Sequence, residues 1–93
     1  MRLKPEEIST ITSAVHEHDP QARIYLFGSR TDDRARGGDI DILVLSARLT
    51  FKDKLKIKAR IFESLEEQKL DILISPDISD PFVRLVKENG VLL

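Results

Sequence analysis

Apolar positions along the chain change their period several times, and each change marks a new element. From Pro5 to about His18, the residues Ile8, Ile11, Val15 and His18 recur at helical spacing. Pro5 suits a first helical turn, Glu6 and Glu7 complement the positive end of its dipole, and Asp19-Pro20 stops it. A short run from Arg23 to Phe27 predicts a buried strand. After a polar stretch ending in glycine, Asp39 to Leu45 alternates: Ile40, Ile42 and Val44 share one face, and Asp39, Asp41, Leu43 and Leu45 share the other. Thr50 to about Gln68 predicts a long helix whose apolar stripe is Phe51, Leu55, Ala59, Phe62 and Leu65. Leu70 to Ile74 predicts a third strand, and Ser75-Pro76-Asp77 a turn. Asp80 is a good N-cap with Pro81 behind it, so Phe82 to Asn89 reads as a last helix closed by Gly90.

The element order is α-β-β-α-β-α, and the expected fold class is α/β (α+β), a small mixed three-stranded sheet covered by helices. A strand-helix-strand passage between residues 39 and 74 favours a parallel pair. The link between the first two strands is too short and polar for a crossover helix, although Arg30 to Ala35 has room for one turn. The apolar end, Gly90-Val91-Leu92-Leu93, either finishes the core as a short extended segment or leaves a patch for dimerisation.

Composition narrows the class. Ninety-three residues suit one domain, 1–93, with 41% hydrophobic and 33% charged residues, a globular balance. The formal net charge of −1 gives no general pull toward nucleic acid, so direct binding to it is not expected. There is no cysteine and no apolar run near the ~20 residues of a membrane span. The start turns acidic at Glu6-Glu7 before any apolar run, unlike a signal peptide, and the expected location is cytoplasmic.

The candidate chemistry lies in "LFGSRTDDRARGGDIDILV", residues 26–44. Asp39 and Asp41 sit two apart on one strand face, roughly 7 Å apart at the backbone. Carboxylates that close raise each other's pKa unless a cation lies between them. Magnesium meets that need, because it takes oxygen ligands from one or two carboxylates and from substrate phosphates. Asp71 in "KLDILI" lies between Leu70 and Ile72 and faces the other way from them, so partial burial is expected. If the third strand lies beside the second, Asp71 converges on Asp39 and Asp41, and three such carboxylates fit a two-metal phosphoryl-transfer site. Taken singly, each signal has a plainer reading: Asp-x-Asp as turn chemistry, and Asp71 as an edge charge that blocks aggregation. Gly28-Ser29 is by itself a strand-ending glycine with a cap, although glycine also admits a ligand close to bare backbone and helix-start N–H groups bind phosphate. The same applies to Gly37-Gly38, a hinge or a bed for a nucleotide.

The ordered set is more informative than its parts. "GSRTDDRARGGDID" followed by "KLDILI" resembles the active-site pattern of the DNA polymerase β-like nucleotidyltransferase superfamily, and within it the minimal nucleotidyltransferases (MNT). The resemblance implies a polymerase β-like core over nearly the whole chain. It implies that Gly28 and Ser29 hold nucleotide phosphates; from the residues themselves, Arg30 can add positive charge there and Gly38 bare backbone for the nucleotide. It further implies that Asp39 and Asp41 hold two Mg²⁺ ions, and that Asp71 ligates one of them and helps deprotonate the attacking hydroxyl. Nine residues separate Ser29 from Asp39, one fewer than in many minimal members, so the loop is tighter here. Many such proteins resemble the antitoxin half of a HEPN/MNT pair. The implied activity is therefore transfer of AMP from ATP onto a hydroxyl of a helical HEPN-type partner. The alternative is a catalytically silent antitoxin that neutralises the same partner by contact, and a homo-oligomer is also open.

Other signals carry less. Lys52, Lys54, Lys56, Lys58 and Arg60 read as a solvated helix face, or as a docking surface for an acidic partner or an RNA. His16 and His18 lack a matching ligand spacing for zinc, and Tyr25 reads as a core residue.

Overall fold

The computed structural model describes residues 3–28, 40–65 and 70–93. Within them the chain forms α1 (Pro5–His18), β1 (Arg23–Phe27), β2 (Ile40–Leu45), α2 (Phe51–Ser64), β3 (Leu70–Ser75), α3 (Pro81–Asn89) and β4 (Val91–Leu92). The sheet order is β3-β2-β1-β4. β2 and β3 are parallel with α2 between them, whereas β1 is antiparallel to both β2 and β4. The sheet is mixed, as the pattern predicts, but it has four strands where three were expected. The fourth comes from the apolar C-terminal end, whose Val91 and Leu92 pair with Leu26 and Tyr25.

Local chemistry sets the helix bounds. The Glu7 carboxylate accepts from the Lys4 backbone N–H at 2.9 Å and ties off the start of α1. Thr50 and Asp53 form a reciprocal cap on α2, the Thr50 hydroxyl accepting from the Asp53 N–H at 3.2 Å and Asp53 accepting from the Thr50 N–H at 2.9 Å. Asp80 caps α3 by accepting from the Phe82 N–H at 2.8 Å. Gly90 ends α3 in extended backbone, φ −85°, and not in the left-handed turn common after helices. Its missing side chain is required for another reason. A β-carbon there would lie 2.9 Å from the carbonyl oxygens of Leu26 and Val86, where the chain turns directly from α3 into β4.

The strand alternation predicted for β2 holds. Ile40, Ile42 and Val44 enter the larger core with Ile11, Val15, Ile57 and Ile61, so α1 and α2 cover that face. Leu43 joins Tyr25, Val83 and Val86 under α3 on the other face, with Leu45 and Leu73 packed against them.

Of the stripe read on α2, only Leu65 packs on the core. Ile57 and Ile61 are the buried residues of this helix, and Leu65 packs beside them just past its end. Phe51, Leu55 and Phe62 are exposed, at 71%, 52% and 40% of their surface. At 3.6 residues per turn the two apolar rows lie roughly 120° apart. The longer row won on count in the sequence, but the β-branched row fits the sheet. The helix also ends at Ser64 with Leu65 as its cap, and Gln68 lies outside the described residues. Arg60 is ion-paired with Glu17 of α1, so the basic run is not wholly given to solvent.

Candidate active site

The candidate acids lie where β2 and β3 begin and β1 ends. In the parallel register Asp41 is the partner of Asp71, and in the antiparallel register Asp41 is the partner of Phe27. Neighbouring strands lie about 4.8 Å apart, so Asp41 and Asp71 are side by side on one sheet face, closer than two acids on the same strand. That face is the one α3 covers further along, since Leu43 and Leu73 follow by alternation. α3 does not bury the acids. Asp41 is half-buried and Asp71 is exposed. The partial burial expected of Asp71 is therefore incorrect. β3 is an edge strand, and residue 71 is only its second position, beyond the reach of the helix that shields Leu73.

Gly28 completes this corner. It follows β1 directly with φ +77°, a conformation that L side chains adopt at a cost. A β-carbon on it would overlap the Asp41 carboxylate, with Asp41 Cγ only 3.3 Å away. The backbone at Gly28 therefore lies directly against Asp41, and only glycine satisfies both constraints.

The remaining predicted site residues, Ser29, Arg30, Gly38 and Asp39, lie outside the described residues, as do Gly37 and the turn at Arg30 to Ala35. Among the described residues no group of three or more His, Cys, Asp or Glu side chains comes together as a metal cluster. Two of the three predicted ligands do come together. Carboxylates in adjacent register, one half-buried against the Gly28 backbone and one exposed, form an all-oxygen donor set of the kind a hard divalent cation takes.

A family model described as "Polymerase beta, Nucleotidyltransferase" matches residues 9–93. The chain belongs to this family. Its nucleotidyltransferase domain places Gly28, Asp41 and Asp71 at one end of the sheet. No match to a curated protein was found. Among the described residues no helix is long and apolar enough to cross a membrane.

The most buried acid among the described residues of the nucleotidyltransferase domain is one the sequence presented only as a helix stop. Asp19 is 3% exposed. Its carboxylate accepts from the Ser46 hydroxyl at 2.5 Å and from the Gln21 N–H at 3.0 Å, and Ser46 Oγ in turn accepts from the N–H groups of Arg48 and Leu49. The Ser46 bond above all holds the Asp19 carboxyl below its ordinary 3.8, against the opposing effect of burial. This network fastens the end of α1 to the end of β2, at the other end of the sheet from Asp41. No pattern within one segment announces it, because its two partners are 27 positions apart.

Proposed function

We propose that this chain is a divalent-metal-dependent nucleotidyltransferase that moves a nucleoside monophosphate, AMP from ATP, onto a hydroxyl of a partner protein, the hydroxyl oxygen bonding to the α-phosphorus as the bond to the β-phosphate breaks and pyrophosphate leaves. The observation that carries this reading is the register match of Asp41 with Asp71, with Gly28 packed onto the first of them. The residues that would hold the metal are Asp41 and Asp71, with Asp39 as the third candidate. A bound cation supplies positive charge for the triphosphate and for the attacking oxygen.

The chain's own groups supply the rest. Gly28 turns the chain at positive φ and leaves room for the Asp41 carboxylate, which any side chain at position 28 would displace. Asp41, half-buried and fixed between β1 and β3, sets the position of the reacting group. Asp71 is exposed at the sheet edge and is the group to take the proton from the incoming hydroxyl. Its exposure favours an acceptor carried on a macromolecule, because a side chain on a partner's surface can reach an edge strand without entering a cleft. The partner we propose is a helical HEPN-type protein, with this chain as its antitoxin.

A second reading rests on the apolar residues left open on α2. Phe51, Leu55 and Phe62 favour a contact surface, and a chain that covers its partner through them neutralises it without turnover. Incubation with α-labelled ATP and Mg²⁺, with and without the protein encoded by the adjacent gene, separates the two. Transfer of label to the partner that is lost in Asp41→Asn supports the enzyme. Neutralisation by Asp41→Asn equal to that by the wild type, with no label transferred by either, overturns it in favour of the binding reading.

A further inference from the structure

Two adjoining hollows lie at the C-terminal ends of β2 and β3, and the proposed reaction uses neither. The first, about 390 Å³, is lined by Arg23, Arg48 and Lys87 together with Asp19 and Asp77. The second, about 440 Å³, has the apolar walls Leu49, Phe51, Leu73 and Ile74. Ser46, Ala47 and Pro76 line both, so the two meet along a shared divide. Asp41 lies four positions upstream of Leu45 on β2, roughly 13 Å along an extended strand, so this region is at the opposite end of the sheet from the candidate acids.

Three cations share the first hollow with two carboxylates, and the nearby Arg48 charge is one of the influences that favour ionised Asp19. Asp19 is bonded to Ser46 and to the Gln21 N–H, and Asp77 accepts from the Ser79 N–H and hydroxyl at 2.9 and 2.7 Å. Among the described residues, Arg23, Arg48 and Lys87 have no ion-pair partner. A surplus of one positive charge on one side, with Arg23 and Lys87 outside any ion pair, and an apolar wall on the other suit a ligand with an anionic head and an apolar body. Each hollow is of the size that holds a small molecule.

We propose that this paired hollow is a binding site for a small amphipathic anion, an oxyanion head group (phosphate monoester or carboxylate) joined to an apolar or aromatic body. The head sits among Arg23, Arg48 and Lys87, where guanidinium groups can take two oxygens at once. The body crosses the Ser46–Ala47 divide and rests on Leu49, Leu73 and Ile74.

Amide chemical-shift titration of the ¹⁵N-labelled chain in magnesium-free buffer tests this, with phenyl phosphate, benzoate, inorganic phosphate and phenol as probes. Saturable shifts are expected at residues 46–49, 73–75, 77, 78 and 87 with phenyl phosphate or benzoate, and whichever of the two binds more tightly names the head group. These shifts should persist in Asp41→Asn and weaken about tenfold or more in the Arg48→Gln/Lys87→Gln double variant, whose spectrum elsewhere should match the wild type. The proposal is overturned by any of three results. These are no saturable binding of either probe, an affinity the double variant leaves unchanged, or shifts centred on Gly28, Asp41 and Asp71 that Asp41→Asn removes. Inorganic phosphate or phenol binding as tightly as phenyl phosphate overturns it as well, because one half of the site would then be idle.

Discussion

A single β-carbon at position 28 would meet the carboxylate of Asp41, and the positive φ there adds strain of about 1–2 kcal/mol for any L side chain. Gly28→Ala is therefore expected to push Asp41 out of line with Asp71. Nucleotide transfer should fall by about a hundredfold while the chain stays folded, as measured by labelled-ATP turnover beside a thermal melt. Asp71→Asn should lose transfer to a similar degree with a melting temperature unchanged or slightly raised, since Asp71 is exposed and the substitution removes a like charge beside Asp41. A variant of either kind with wild-type turnover would remove these residues from the site. Asp19 makes a different prediction. Its carboxyl titrates below the ordinary 3.8 in the folded chain, so the stability it contributes is whole above that value and is lost as the pH falls through the lowered one. Asp53 and Asp77, both held low mainly by hydrogen bonds at turns and caps, act in the same window. Asp19→Asn should thus flatten, without abolishing, the drop in urea midpoint between about pH 5 and pH 3. Ser46→Ala should cost about 1–3 kcal/mol near neutral pH by leaving a buried carboxylate oxygen without its donor.

At the scale of elements, α2 shows how periodicity can be read correctly as a helix and wrongly as a face. Its bounds at Thr50 and its amphipathic character were legible, because the cap Thr50–Asp53 is local. Which of two apolar rows faces the sheet was not, since that depends on where α1 and β3 lie. Ile57→Ala or Ile61→Ala should cost about 2–5 kcal/mol by opening a cavity against Ile42 and Ile72, whereas Leu55→Ala should change stability by no more than about 0.5 kcal/mol. Chemical denaturation of the three variants decides between the rows. The same limit applies to Asp71: alternation set its face, but its exposure follows from β3 being an edge strand and from the reach of α3.

At the scale of the molecule, the two ends of the sheet differ in kind. One end brings acids together with bare backbone, and the other gathers cations beside an apolar wall. Two carboxylates side by side repel, so a divalent cation that binds them should stabilise the folded chain by mass action. Millimolar Mg²⁺ is expected to raise the melting temperature of the wild type and to leave that of Asp41→Asn unchanged, a readout independent of turnover. An equal shift in both would place the metal elsewhere.

The sequence by itself determined the helices, the strands, the inward faces of β2 and the sheet end that carries the acids. Each of these follows from contacts within a few residues or from strict alternation. Tertiary structure alone decided the fourth strand, the buried row of α2, the exposure of Asp71, the Asp19–Ser46 bond and the gathering of Arg23, Arg48 and Lys87. Those features join segments far apart in the chain, and their energies depend on which surfaces meet, a quantity that no local pattern contains.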